Sequence, residues 1–267
     1  MEGRIKSITD FAKKKSGKTP ISVVTCYDYQ NAKIVAASSV DCILVGDSAG
    51  MVFSGYSNTL PVTIDEMIYH TKAVRRGFDG FIITDMPFLS YHTSPDEAVA
   101  NAGRIMKESG ANAVKLEGGR HFIPVIIKLV ECSIPVMGHL GLMPQSINKI
   151  GGYKVQGRND YDADIILQDA AMLQDAGVFS VVLEMVAETA AQKITESLNI
   201  PTIGIGAGRF CDGQVLVLND LLGMDVENNP RYLKKFADLN SVILNALNSY
   251  DSEVKNKTFP TENNGFR

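Results

Sequence analysis

The chain has 267 residues, 45% of them hydrophobic and 21% charged, with a formal net charge of −4. That length fits one α/β barrel domain and supplies ample apolar side chains for its core. The mild negative charge, with no basic stripe carrying interleaved aromatics, argues against nucleic acid as a partner, and no apolar stretch approaches the ~20 residues of a membrane span.

The N-terminal segment MEGRIKSITDFAKKK has a polar helical pattern without the apolar core of a signal peptide. Lys13, Lys14 and Lys15 read as a solvated face of that helix. Eight runs of β-type composition follow: ISVVT (21–25), CILVG (42–46), FIITD (81–85), AVKLE (113–117), IPVMG (134–138), SVVLE (180–184), IPTIGIG (200–206) and QVLVL (214–218). Most are continuously apolar, as strands buried on both faces are. Helical patterns between them cover 65–76, 95–109 with Ser94 as N-cap, 122–132, 162–175 and 187–198. The alternation predicts a (β/α)8 TIM barrel over 1–250, followed by a polar C-terminal tail over 251–267. Between the seventh and eighth runs the gap is too short for a helix, and GAGRFCDG reads as a turn. The connections 48–63 and 139–161 are long and Gly-rich, which is the habit of loops that cover a site. No C-x-x-C pair occurs among Cys26, Cys42, Cys132 and Cys211, so free thiols and a cytoplasmic location are expected.

Four apolar runs lead into an acid: Asp47, Asp85, Glu117 and Glu184. In a parallel barrel the C-terminal ends of the strands share one rim, and carboxylates that converge there repel unless a cation or a proton holds them. Asp47 and Asp85 fall on neighbouring strands, and Glu117 can join them directly or through water; oxygen donors of this kind point to Mg²⁺. Lys115 lies two residues before Glu117, so both side chains face into the barrel. It is expected to neutralise the acids or to grip a substrate carboxylate. His139, just past the fifth run, is expected to orient an oxygen or to make a structural hydrogen bond. Glu184 stands across the barrel and reads as a general base, with a buried salt bridge as the alternative. GIGAGR (204–209) reads as a phosphate cradle or simply a tight turn. A metal, a cation for a carboxylate and a base on the far wall suit a 2-oxo acid, with proton removal next to the carbonyl giving an enolate that the ion stabilises.

In order, TCYDYQNA, ILVGDSAGMV, TLPVTIDEMIYH, DMPFLSY, VKLEGG, PVMGHLGLMPQ, GGYKVQGR, VVLE and IPTIGIGAGRFCDGQVLV carry a close resemblance to the ketopantoate hydroxymethyltransferase family. This family belongs to the phosphoenolpyruvate/pyruvate barrel superfamily. The resemblance implies transfer of a one-carbon unit from 5,10-methylenetetrahydrofolate to 3-methyl-2-oxobutanoate, giving 2-dehydropantoate on the pantothenate route. By motif it implies Mg²⁺ near Asp47, Asp85 and Glu117, oxo-acid contacts from Asp47, Ser48, Asp85 and Lys115, and Glu184 as proton acceptor. It also implies a homo-oligomer, commonly a decamer. The chain departs from the family's usual residues at Met143, Ala187 and Asn219, the last expected at the end of strand eight. Two rival readings are a Mg²⁺-dependent C–C lyase or mutase of the same superfamily and a non-catalytic metabolite-binding barrel.

Overall fold

Eight parallel strands pair in chain order and close on themselves: β1 (Ile21–Thr25), β2 (Cys42–Val45), β3 (Phe81–Asp85), β4 (Ala113–Glu117), β5 (Val136–Gly141), β6 (Ser180–Glu184), β7 (Thr202–Ile205) and β8 (Gly213–Leu216), which returns to β1. The computed structural model describes residues 4–152, 154–227 and 229–266; parts of the N-terminal segment, of the GGYKVQGR run (Tyr153) and of the C-terminal tail therefore lie outside the described residues. The helices are α1 (Ile8–Ser16), α2 (Tyr29–Ala37), α3 (Ala49–Val52), α4 (Ile64–Gly77), α5 (Pro95–Ser109), α6 (Ile123–Glu131), α7 (Ile147–Ile150), α8 (Asp160–Asp175), α9 (Glu188–Ser197), α10 (Leu218–Leu221) and α11 (Leu239–Lys255). The predicted TIM barrel is present, and the segment between β7 and β8 is a turn without a helix, as its length requires. Among the described residues no helix is long and apolar enough to cross a membrane.

The two-residue period of a strand builds the site directly. Outward residues such as Val114, Leu116, Val136, Val181 and Leu183 pack against the surrounding helices. Inward residues begin apolar, with Phe81 and Ile83 on β3, Ala113 on β4, Met137 on β5 and Val182 on β6. Two residues further along each strand the same row becomes polar: Asp85, Lys115 and then Glu117, His139, and Glu184. One end of the barrel is therefore a hydrophobic plug and the other a charged cup.

Helix α1 completes the plug. Its Phe11 is fully buried, edge-on to Phe81 and Phe179 at 5.4 and 4.9 Å between ring centroids. The reading of the lysine cluster as a solvated face is corrected for two of its members. Lys14 Nζ lies 2.8 Å from Asp41 Oδ1 and Lys15 Nζ 2.9 Å from Asp212 Oδ2, and all four side chains are largely shielded. These pairs tie α1 to the residues that lead into β2 and β8.

Helix starts follow their caps. Ser94 Oγ accepts from Glu97 N at 3.2 Å with Pro95 in the first turn, while Thr63 and Glu66 form a capping box on α4. Each such cap contributes about 1 kcal/mol.

Two strand boundaries differ from expectation. β5 runs Val136–Gly141, so His139 lies inside the strand and not past it. β8 ends at Leu216, and Asn219 falls within α10 instead of closing a strand. The chain divides into two compact units, Met1–Val217 and Leu218–Arg267; the second contains α11, which runs through position 251. None of the residues of α11 is buried, and Val242, Ile243, Leu244 and Leu247 are exposed.

Candidate active site

The charged cup gathers six of the seven residues expected from the sequence into one contact network. Lys115 and Asp85 sit side by side in the β3–β4 register, and their Nζ and Oδ1 atoms are 3.0 Å apart. Asp47 follows β2, where its backbone N–H donates to Asp85 Oδ2 at 3.1 Å. Glu117 and His139 are register partners on β4 and β5, with His139 Nδ1 3.7 Å from Glu117 Oε1. Glu184 ends β6, its Oε2 3.3 Å from His139 Nε2. Ser48 lies at the edge of the cup, its Oγ 2.9 Å from Tyr27 Oη. The turn GIGAGR stands apart. Its Gly206 and Gly208 adopt φ of +64° and +81°, a backbone that glycine allows, and Arg209 pairs with Glu188.

Backbone geometry fixes Glu184 tightly. Leu142 N–H donates to Glu184 O at 2.8 Å from the exit of β5. Gly141 makes that approach feasible: at φ +95° a Cβ on it would lie 2.2 Å from Glu184 O. The next residue, Met185, adopts φ +46°, while its N–H reaches Ile205 O and its carbonyl accepts from Gln156 N. Strain of this kind persists only where surrounding contacts over-determine it.

Three acids, Asp47, Asp85 and Glu117, surround Lys115, and the imbalance appears in the protonation of Asp47 and Glu117. Burial, and then the Asp85 charge, pushes the Asp47 carboxyl up to about 7. Burial, and then Asp47, pushes Glu117 well above the usual carboxylate range. Burial alone would lower Lys115, but Asp85, Glu117 and Asp47 outweigh it and hold the ammonium above its ordinary range. His139 is lowered by burial and by the Lys115 charge, so its imidazole is neutral. Lys115 Nζ, 3.2 Å from His139 Nδ1, can only donate. The histidine proton is thereby assigned to Nε2, which faces Glu184.

Two buried atoms in this cup, Asp85 Oδ1 and His139 Nε2, lack a well-directed hydrogen bond despite their close ionic neighbours. Each retains hydrogen-bonding capacity. Among the described residues no three His, Cys, Asp or Glu side chains group closely enough to enclose a metal ion unaided. Two carboxylates with unspent charge are nonetheless what Mg²⁺ ordinarily takes from a protein, its other positions going to water and substrate.

Two residues in the network were not expected. Gln145, on the loop after β5, donates through Nε2 to Asp47 Oδ2 at 2.8 Å and through its backbone N–H to Glu117 Oε2 at 3.0 Å. Tyr91, fully buried beyond β3, donates to Gln145 Oε1 at 2.8 Å. Both lie within the runs PVMGHLGLMPQ and DMPFLSY, but as uncharged residues they give no signal to a reading built on carboxylates.

The family model described as ketopantoate hydroxymethyltransferase matches residues 5–262. A 3-methyl-2-oxobutanoate hydroxymethyltransferase of Pseudothermotoga lettingae is 57% identical over 96% of this chain and 97% of its own. The protein of the same name from Geobacter sulfurreducens is 52% identical over 98% and 99%. Among solved structures, a phosphoenolpyruvate phosphomutase from Streptomyces platensis superposes with a TM-score of 0.63 at 12% identity, covering 98% of this chain and 92% of its own. A 2,3-dimethylmalate lyase gives 0.60 at 13% identity over 98% and 89%. Likeness at such low identity speaks to the barrel alone.

Proposed function

The chain belongs to the ketopantoate hydroxymethyltransferase family, and we propose that it converts 3-methyl-2-oxobutanoate, 5,10-methylenetetrahydrofolate and water to 2-dehydropantoate and tetrahydrofolate. The observation that carries this reading is the buried Asp47–Asp85–Lys115 group facing Glu184 across one rim, in a chain matched to the family over residues 5–262. In this reading Asp47 and Asp85 hold Mg²⁺, with Glu117 engaged through water; the surplus of buried negative charge and the open capacity of Asp85 Oδ1 support the fit. When bound, the ion supplies positive charge beside the carbonyl oxygen of the oxo acid.

The chain's own groups account for the remainder. Lys115 receives the substrate carboxylate, and Ser48 gives it a hydroxyl partner at the edge of the cup. Glu184 accepts the proton from C3, the carbon next to the carbonyl, with His139 Nε2 as its close polar neighbour at 3.3 Å. The electron pair left at C3 forms the new bond to the donor's methylene carbon as one of that carbon's two C–N bonds breaks. Water then supplies the hydroxyl as the second folate nitrogen departs, and the two nitrogens take up the protons released from C3 and from water.

We further assign a cytoplasmic location and a homo-oligomeric assembly, a decamer by resemblance to the family. Support for the assembly comes from the exposed apolar residues of α11, and light scattering on the purified protein reads it.

The function is tested by incubating the protein with 3-methyl-2-oxobutanoate and Mg²⁺ in D₂O without folate and following C3–H by NMR. Exchange at C3 is expected. Its absence overturns the reading in favour of a superfamily lyase or mutase acting on another oxo acid, or of a barrel that only binds.

A further inference from the structure

The loop after β5 returns one uncharged side chain to the cup, and every polar atom of that side chain is committed. Gln145 is buried, and its Nε2 lies 2.8 Å from Asp47 Oδ2 and 2.9 Å from the carbonyl oxygen of Met86. The Met86 carbonyl can only accept, so this end of the amide is the NH₂ group and both of its hydrogens are used. At the other end, Oε1 accepts from Tyr91 Oη at 2.8 Å. Tyr91 is itself held by Glu117, whose N–H donates to Oη at 3.1 Å and whose carbonyl oxygen lies 3.2 Å away. The Gln145 backbone N–H completes the circuit on Glu117 Oε2 at 3.0 Å. One residue thus holds one oxygen of Asp47 and one of Glu117, leaving the second oxygen of each for other work.

We propose that Gln145 is a positioning residue for Asp47 and Glu117, that Tyr91 acts through it by setting the direction of the amide, and that seating the loop after β5 is thereby a condition for assembling the cation site. This inference rests on the Mg²⁺ reading above. Turned about, the amide would set its carbonyl against the Asp47 carboxylate, two acceptors with no proton between them, and would leave the Tyr91 hydroxyl facing an NH₂ group. The Tyr91 proton selects the productive orientation.

The test is a titration of the metal-free protein with Mn²⁺, read by the EPR signal of the free ion, on wild type, Tyr91→Phe, Gln145→Met and the double variant. Methionine keeps most of the volume and none of the side-chain hydrogen bonds, while the backbone N–H stays on Glu117 Oε2. Gln145→Met is expected to raise the Mn²⁺ Kd about tenfold, the size of one lost hydrogen bond to a charged group, and Tyr91→Phe about fivefold, the size of a neutral one. In the Gln145→Met background, Tyr91→Phe is expected to add less than about twofold, because its effect passes through the amide already removed. KM for the oxo acid should rise together with the Mn²⁺ Kd. Tyr91→Phe deletes a single oxygen atom, so a folded protein remains to be read even where Gln145→Met does not fold. Variants with wild-type Mn²⁺ affinity and only a lowered Tm would overturn the inference while leaving the Mg²⁺ reading in place. Equal effects of Tyr91→Phe in both backgrounds would overturn the route through Gln145. A wild-type protein without Mn²⁺ affinity would overturn the Mg²⁺ reading itself, and this inference with it.

Discussion

Replacing Lys115 with methionine removes the cation from the centre of the acidic cup while keeping nearly the same volume. The Lys115 and Asp85 side chains are only 5% and 4% exposed, and their charged atoms are 3.0 Å apart, so water cannot take the lost partner's place. Removing one member of a buried pair costs about 3–5 kcal/mol, and each kcal/mol moves Tm by roughly 2–4 °C in a domain of this size, so the metal-free variant should melt about 6–20 °C below wild type. Asp47 and Glu117, which also lean on Lys115, place the effect toward the larger end. Scanning calorimetry in EDTA at pH 8 gives the comparison, and repeating it at pH 5.5, where protonated acids relieve the repulsion, should narrow the gap. In steady-state assays KM for the oxo acid should rise far more than KM for the folate. An unchanged Tm at pH 8 would show that Lys115 does not balance buried charge, and the electrostatic account of the cup would fall with it.

Glu184→Gln should lose ~10²–10⁴-fold in kcat and in C3 deuterium exchange together, with little change in oxo-acid affinity; exchange that persists while turnover falls would move the base elsewhere, with His139 the next candidate. Asp47→Asn and Asp85→Asn should each weaken Mg²⁺-dependent binding of the oxo acid by calorimetry while near-UV circular dichroism stays native, and unchanged metal dependence would refute the shared role. In the metal-free protein the Asp47 pKa stands at about 7 against an ordinary 3.8, so its contribution to stability is complete below 3.8 and is lost as pH rises through about 7. Tm in EDTA should therefore fall as pH rises from about 4 to about 7 and level off above that, and saturating Mg²⁺ should flatten the slope; a level profile in EDTA across that range would contradict the raised pKa. With Ellman's reagent, exposed Cys132 should react first, whereas Cys26, pushed up to about 11 by burial, and fully buried Cys42 should react only on unfolding.

The barrel was legible because its strands are short, apolar on both faces and regularly spaced, and the site because charged residues at the ends of such strands have few other reasons to be there. Legibility failed where meaning depends on distance in sequence. Lys15 finds its partner 197 residues away, and no local pattern announces that Asp212 lies beneath it. Tyr91 and Gln145 meet across 54 residues, and neither carries the charge that drew notice to their neighbours. The start of the fifth strand was misjudged for a different reason. Ile134 and Pro135 extend the apolar run, but proline has no N–H for the ladder and serves only as an acceptor, for Val114 N at 3.0 Å. The strand then continues through His139 to Gly141 because β6 offers partners up to Glu184.

The aromatic plug formed by Phe11, Phe81 and Phe179 makes the barrel a cul-de-sac. In the proposed reaction, ligands of the cup would enter and leave from the rim side, and an oxo acid held by Lys115 would lie beneath whatever arrived afterwards. A small oxo acid seated at the bottom and a bulky folate standing in the doorway would therefore impose a compulsory sequence of arrival and departure, set by the absence of a back exit and needing no moving part to enforce it.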